Sequence, residues 1–272
     1  KNLNYYFAMV IAKKIRSFFD KKRYWYFLPK KIRFLIWNIR FLKKFKTNTG
    51  YYYLPLFAVK DQIRNRIINN EISDKLIFDK LKNFIEPDTI VLDLGANFGQ
   101  MSILWSQSKS NVKVYAFEAS NYIFNILKKN IHINSANVEA INALVGNESN
   151  KEQLIEESYL KEYSTYGSHK INKTQDINKK KNYKIKAIKI DDINFEKRIS
   201  AMKIDIQGYD LDALKGSKKT ILKHKMPIIF EYEEKFEKEF NYTFKDFENF
   251  INEINYKIET KIDEINYLIV PK

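Results

Sequence analysis

The chain has 272 residues and a formal net charge of +15, with 44% hydrophobic and 30% charged residues. That composition supplies a sizeable core and excludes a wholly disordered chain. With no cysteine and only three widely spaced histidines (His132, His169, His224), it also excludes a disulfide scaffold, a cysteine nucleophile and a histidine–thiolate metal site.

The charge is uneven. Residues 1–50 hold fourteen Lys and Arg against the single acid Asp20, whereas the remainder holds 34 basic and 32 acidic groups. Such an asymmetry fits an anionic partner: a membrane surface, nucleic acid or an acidic glycan. A chain rich throughout in Lys, Asn, Ile, Tyr and Phe gives an equal, compositional account. The apolar run 5–12 is followed by Lys13 and Lys14 with no small-residue cleavage site, so it reads as the start of a helix and not as a leader. Residues 31–45 set Ile32, Leu35, Ile36, Ile39 and Leu42 on one face of a basic amphipathic helix. That face packs on the rest of the protein or lies on an anionic membrane. Residues 1–49 are therefore read as a basic, aromatic, helical extension, and 50–272 as the main domain. No apolar run is long enough to predict a membrane-spanning helix.

Residues 46–60, punctuated by Gly50 and Pro55, read as a linker and a short extended piece. Helical spacing over 61–85 predicts one helix stopped by Pro87. From there strands and helices alternate: a continuous apolar run at 89–94, a helix to about 108, a strand at 112–118, a helix at 121–133 and a strand at 137–145. Residues 147–182 are polar and weakly patterned, and are read as short strands and a loop over the site. Strands follow at 183–190 and 200–206, a helix at 209–223 and a strand at 227–232. Thr243 and Asp246 form a capping box that opens a helix to about 254. Residues 256–259 and 264–270 close the chain as an antiparallel pair. This alternation predicts a parallel sheet with helices on both faces, whose ligands bind at the carboxyl ends of the strands, where strand order reverses.

The first turn after a buried strand reads Asp93-Leu94-Gly95-Ala96-Asn97-Phe98-Gly99. It holds two of only seven glycines. The dinucleotide pattern G-x-G-x-x-G fails here, with Asn97 and Gln100 at its second and third glycine positions, which argues against a nicotinamide oxidoreductase. Asp93 suits a ligand with a positive charge, such as an ammonium or a sulfonium. Asn97 is placed to touch the amino-acid end of such a ligand. Glu118 ends the second strand, where a carboxylate accepts both hydroxyls of a ribose. A nucleoside joined to an amino acid satisfies both features, and S-adenosylmethionine is such a molecule.

Together with Phe117-Glu118, this turn resembles the class I methyltransferases. The run Met202-Lys203-Ile204-Asp205-Ile206-Gln207-Gly208-Tyr209-Asp210, continuing to Gly216, resembles the FkbM-type methyltransferases within that superfamily. Leu54-Pro55 and Ile229-Phe230-Glu231 are similar as well. Two positions depart from the family's K-I-D-x-E-G-x-E pattern: Gln207 and Asp210 stand where it carries Glu. The resemblance covers about residues 50–270. It implies a Rossmann-like sheet of seven strands, mostly parallel, with a reversed final strand, and O-methylation of a hydroxyl on a sugar, glycan or other small molecule.

On that reading S-adenosylmethionine is the cofactor, held by Asp93, Gly95, Asn97, Gly99, Glu118 and Ala143. Asp205 takes or orients the acceptor's proton and Glu231 orients the acceptor. His169 reads as a surface residue, and Asp191-Asp192 as a solvated turn with no metal. A cytoplasmic enzyme, peripheral at the inner membrane face through residues 1–46, is the corresponding expectation. Two rivals stand beside it. One is an RNA methyltransferase using Tyr24, Trp25, Tyr26 and Trp37 to stack bases. The other is a non-catalytic membrane-binding module.

Overall fold

The computed structural model describes residues 29, 31–33, 35, 40–156, 170–171 and 182–272. The readings made for residues 5–12, Tyr24, Trp25, Tyr26, Trp37 and His169, and for most of the loop 147–182, lie outside them.

Residues 31–33 and 35 are helical, as expected, but the amphipathic helix does not reach residue 45. Leu42–Thr47 is a strand, β1, paired antiparallel with Gly50–Pro55, β2. This hairpin replaces the end of the expected helix and part of the expected linker, its second strand supplies the expected short extended piece, and it spans residues 49 and 50. The physical reason is tertiary. Tyr52 and Leu54 of β2 are fully buried in a cluster with Ile67, Phe98 and Ile123, and Leu42 and Phe45 of β1 pack against it. The free edge of β2 is taken up by Asn134, which accepts from the Tyr51 N–H at 2.9 Å and donates to its carbonyl at 2.7 Å, and by Asn130, which accepts from the Tyr53 N–H at 2.6 Å.

The helix expected over 61–85 is two, α1 (Gln62–Ile68) and α2 (Lys75–Lys82). The break falls where Asn70 and Asp74 adopt positive φ, 66° and 51°. Then come β3 (Ile90–Leu94), α3 (Gln100–Ser106), β4 (Lys113–Phe117), α4 (Asn121–Ile133) and β5 (Val138–Ile141). The strand expected over 137–145 ends at Ile141. Leu144–Val145, β6, belongs to a second sheet with β7 (Glu152–Glu156), β8 (Lys170–Ile171) and β9 (Asn182–Ile188), in the order β6-β9-β7-β8. After β10 (Ile199–Ile204) the expected single helix is also two, α5 (Asp210–Gly216) and α6 (Lys218–His224). Gly216 lies against the carbonyl of Gly146, so the chain is pinned where the two helices meet. The rest is β11 (Ile228–Glu231), α7 (Glu237–Phe240), α8 (Phe244–Glu253), β12 (Tyr256–Lys261) and β13 (Asn266–Pro271). The capping box is present: the Thr243 N–H donates to Asp246 at 2.7 Å.

The main sheet has seven strands in the order β12-β13-β11-β10-β3-β4-β5. Only β13 runs against the others. One core lies on the face of Leu92, Met202 and Phe230, and a second on the face of Val91, Ala201 and Ile229, under α2 and α3. Strand order reverses between β3 and β10, so the crevice for a ligand stands above their carboxyl ends.

Candidate active site

Four strand ends meet at that crevice. Asp93 and Gly95 come from β3, Glu118 from β4, Lys203 and Asp205 from β10, and Glu231 from β11.

Gly95 has φ 87°, open to glycine and strained for other residues. Its Cα faces the carbonyl of Asp205 so closely that a Cβ there would overlap that oxygen. Asn97 also sits in the left-handed region at φ 52°, which Asn tolerates. Its side chain turns back to accept from the Phe98 N–H at 2.8 Å, while its own N–H donates to Glu118 at 3.0 Å. Gly99 caps α3 with its Cα against the Leu127 side chain.

Glu118 is half-buried. Its second carboxylate oxygen accepts from the Ser120 N–H at 2.7 Å, and its carbonyl accepts from the Asn142 amide at 2.8 Å. Burial pushes its carboxyl up to about 7, against the pull of the two backbone N–H groups. Ala143 is buried, just past the end of β5.

Asp93 is fully buried. The positive charge expected beside it belongs to the chain itself. Ser102 donates to one oxygen, and the Lys203 ammonium stands 3.4 Å from the other. The same ammonium lies 3.4 Å from Asp205 and 3.2 Å from the Gly95 carbonyl. Burial works to lower the Lys203 pKa, but Asp205 and Asp93 outweigh it, and the net shift is upward. The lysine therefore stays charged. Sequence reasoning assigned it no role, yet the signal was present: a lysine inside the buried strand Ala201-Met202-Lys203-Ile204 requires a carboxylate partner.

Asp205 is more open than Asp93, Asp210 and Glu231, its side chain 29% exposed. Beside it, Asp210 is fully buried and accepts from the backbone N–H groups of Glu231 (3.2 Å) and Ile206. Asp210 thus ties the end of β11 to the end of β10. Glu231 is buried against Asp205. Burial, then Asp205 and Asp210, push its carboxyl far up, the direction that favours the neutral acid beside Asp205. Gln207 has φ 56° and Gly208 φ 89°, with Phe236 and Phe240 packed over Gly208. Asp191 and Asp192 serve structure: the first accepts from the Lys219 and Thr220 N–H groups at 2.9 and 2.8 Å, the second from Ser149. Among the described residues no group of three His, Asp or Glu side chains is arranged to hold a metal ion.

The Methyltransferase FkbM domain family matches residues 93–258, from Asp93 of the first turn to Ile258 of β12. The chain belongs to the FkbM methyltransferases. Three solved structures similar to this FkbM chain are a methyltransferase FkbM from Methylobacillus flagellatus (18% identity, TM-score 0.44, 79% of this chain and 52% of that one), Trm5b from Pyrococcus abyssi (13%, 0.46, 84% and 54%) and TYW2 from M. jannaschii in complex with AdoMet (16%, 0.41, 85% and 87%). The chain spans about half the length of the first of these. The sequence matches no curated protein.

The crevice of this FkbM domain has the chemistry an adenosyl amino-acid cofactor requires. Glu118 offers an ionisable acceptor at the end of β4, and its neighbours Asn97 and Ser120 contribute backbone N–H groups that fix its orientation. Gly95 and Gly99 bring the first turn close to β10 and α4. Asp205 stands on the other side of the strand-order reversal. Ser102 and Lys203 already satisfy Asp93, so its part is to hold this frame from below.

Proposed function

We propose that this FkbM domain transfers a methyl group from S-adenosylmethionine to a hydroxyl of a sugar, glycan or other small molecule. The observation that carries the reading is the placement of two carboxylate systems across the switch point: Glu118 on β4, and the Asp205–Glu231 pair on β10 and β11. When bound, the cofactor supplies a sulfonium-activated methyl for in-line displacement. Glu118 accepts from the ribose hydroxyls, and Ala143 offers backbone at the adenine. Asp205 receives the proton of the acceptor hydroxyl, which its position at the open end of β10 permits. The Lys203 ammonium, 3.4 Å away, and Glu231, buried against it, hold the Asp205 carboxylate in place. Asp210 fixes the spacing of the two strands, so that the hydroxyl and the base are kept in one geometry.

The primary test is calorimetric titration with S-adenosylhomocysteine. Micromolar binding that disappears in Glu118→Ala supports the reading; no binding by folded wild-type protein overturns it. Because the Glu118 carboxyl is raised to about 7, its ionised form, the better acceptor for two hydroxyls, declines as pH falls. Affinity should therefore weaken below pH 7, approaching about tenfold per pH unit if only the ionised form binds. Glu118→Gln should flatten that dependence, and an unchanged pH profile in this variant would remove Glu118 from the ribose site.

Asp205→Asn should leave S-adenosylhomocysteine affinity within about threefold and lower kcat by roughly 10²–10⁴-fold with an acceptor that turns over. A kcat within a factor of three of wild type would exclude Asp205 as the base.

A further inference from the structure

Residues 21–60 hold eleven Lys and Arg and no acid, whereas the charges of the chain beyond residue 50 nearly balance. The structure describes this segment at the helical residues 31–33 and 35 and in the β1–β2 hairpin.

The hairpin has two unlike faces, as the alternation of side chains along a strand requires. On one, Phe45, Tyr52 and Leu54 turn into the cluster with Ile67 and Phe98. On the other, Lys44 lies opposite Tyr53 and Lys46 opposite Tyr51. Lys44, Lys46 and Tyr51 are exposed. The Lys44 ammonium stands 4.9 Å from the centre of the Tyr51 ring. A ring face orients a cation without cancelling its charge. Among the described residues neither lysine makes an ion pair, and nor does exposed Lys31.

The helical residues add an apolar element. Their spacing sets Ile32 and Leu35 on one face and leaves it two fates, packing on the protein or lying on a membrane. Ile32 is 42% exposed and Leu35 62%, so neither is buried by the protein. No more than about 25 Å of chain separates Leu35 from β1. Arg40, between them, lays its guanidinium over the Tyr122 ring, 4.6 Å from its centre. Tyr122 is the second residue of α4 and follows Glu118 by four positions, so this surface borders the crevice on the side of Glu118.

Charge and apolar exposure together decide the partner. A nucleic acid would engage the lysines through its phosphates and the tyrosines through its bases, but would leave Ile32 and Leu35 in water. An anionic bilayer takes all three kinds of side chain. Ammonium groups reach the lipid phosphates, tyrosine rings sit at the interface, and Ile and Leu enter the acyl boundary.

We infer that the hairpin face of Lys44, Lys46, Tyr51 and Tyr53, with Ile32 and Leu35, docks the protein on an anionic lipid surface. The docking requires neither cofactor nor acceptor, so it stands apart from the methyl-transfer reading.

The test is co-sedimentation of the full chain with vesicles of phosphatidylcholine containing phosphatidylglycerol, beside vesicles of phosphatidylcholine alone. The chain should pellet with the anionic vesicles, and less so as salt is raised. One lysine near an anionic leaflet is worth roughly a fivefold change in partitioning. Lys44→Gln/Lys46→Gln should therefore lower partitioning by at least about tenfold, and Leu35→Ser by at least roughly threefold. Lys197→Gln/Lys219→Gln removes the same charge from exposed lysines in the balanced part of the chain and should stay within about twofold of wild type. All three variants alter exposed side chains and should keep the wild-type melting temperature. Absence of binding to the anionic vesicles overturns the inference, as does equal binding to the neutral ones. Equal losses in the two lysine pairs overturn it too, because they would trace binding to net charge and not to this face. Wild-type partitioning by Leu35→Ser, with tighter binding of the chain to single-stranded polyuridylate than to the vesicles, would assign the surface to nucleic acid instead.

Discussion

Replacing Gly95 with alanine should destabilise the protein by about 2–5 kcal/mol and abolish S-adenosylhomocysteine binding even where the variant remains folded. Two costs add. The backbone at φ 87° strains any residue with a Cβ, at about 1–2 kcal/mol. The new methyl would also overlap the carbonyl oxygen of Asp205, at roughly 1–3 kcal/mol for overpacking. Neither strand can yield easily. Gly95 donates to the Phe117 carbonyl at 2.9 Å on one side, and the Asp205 N–H donates to the Leu94 carbonyl at 3.0 Å on the other. Relief of the overlap moves the first turn and Asp205 apart, which are the two parts that must face one ligand. Gly99→Ala supplies the contrast. Its φ is similar, 85°, but its methyl would meet only the end of the Leu127 side chain, which can turn away. That variant should lose less, about 1–3 kcal/mol, and keep measurable binding. Urea midpoints and calorimetry on both variants check the pair, and equal losses at the two glycines would refute the argument from Asp205.

The sequence made the central strands legible because burial on both faces leaves a mark that needs no partner to read. Ile90–Leu94, Lys113–Phe117, Ile199–Ile204 and Ile228–Glu231 are short apolar runs, and the acids that end or follow them stand at the crevice. Helix α4 was legible at its observed bounds, 121–133, and the structure adds the Ser120 side chain before it, which accepts from the Ile123 N–H. The hairpin was not. Leu35, Ile36, Ile39 and Leu42 fit a helical period, and only pairing with the tyrosine-rich run 51–53, itself held by Asn130 and Asn134, turns residues 42–47 into a strand. The division of 137–145 between two sheets depends on β9, more than forty residues away in the chain, and no local pattern encodes it. In the site, Glu118, Asp205 and Glu231 could be placed because a strand end fixes where a side chain emerges. Lys203 and Asp210 could not be assigned a partner, because each reaches to a neighbouring strand chosen by topology.

Lys203→Met should be the most damaging single change at the site that leaves the backbone geometry untouched. The methionine is unbranched, one atom shorter than the lysine and close to it in volume, so lost packing contributes little. What is lost is the one ammonium lying between Asp93 and Asp205. Asp93 is 0% exposed, and with Ser102 as its remaining side-chain partner it becomes an uncompensated buried charge. Breaking a buried pair from one side typically costs about 3–5 kcal/mol, a large share of a total stability of about 5–15 kcal/mol. The double variant Lys203→Met/Asp93→Asn separates the causes. Neutralising Asp93 keeps an acceptor for Ser102 and removes the stranded charge, so urea unfolding should recover most of the lost stability. Catalysis should not recover, because Asp205 still lacks the cation that positions it beside Glu231. A double variant as unstable as the single one would show that Lys203 serves packing and not charge. A double variant restored in both stability and turnover would show that Asp205 works without it.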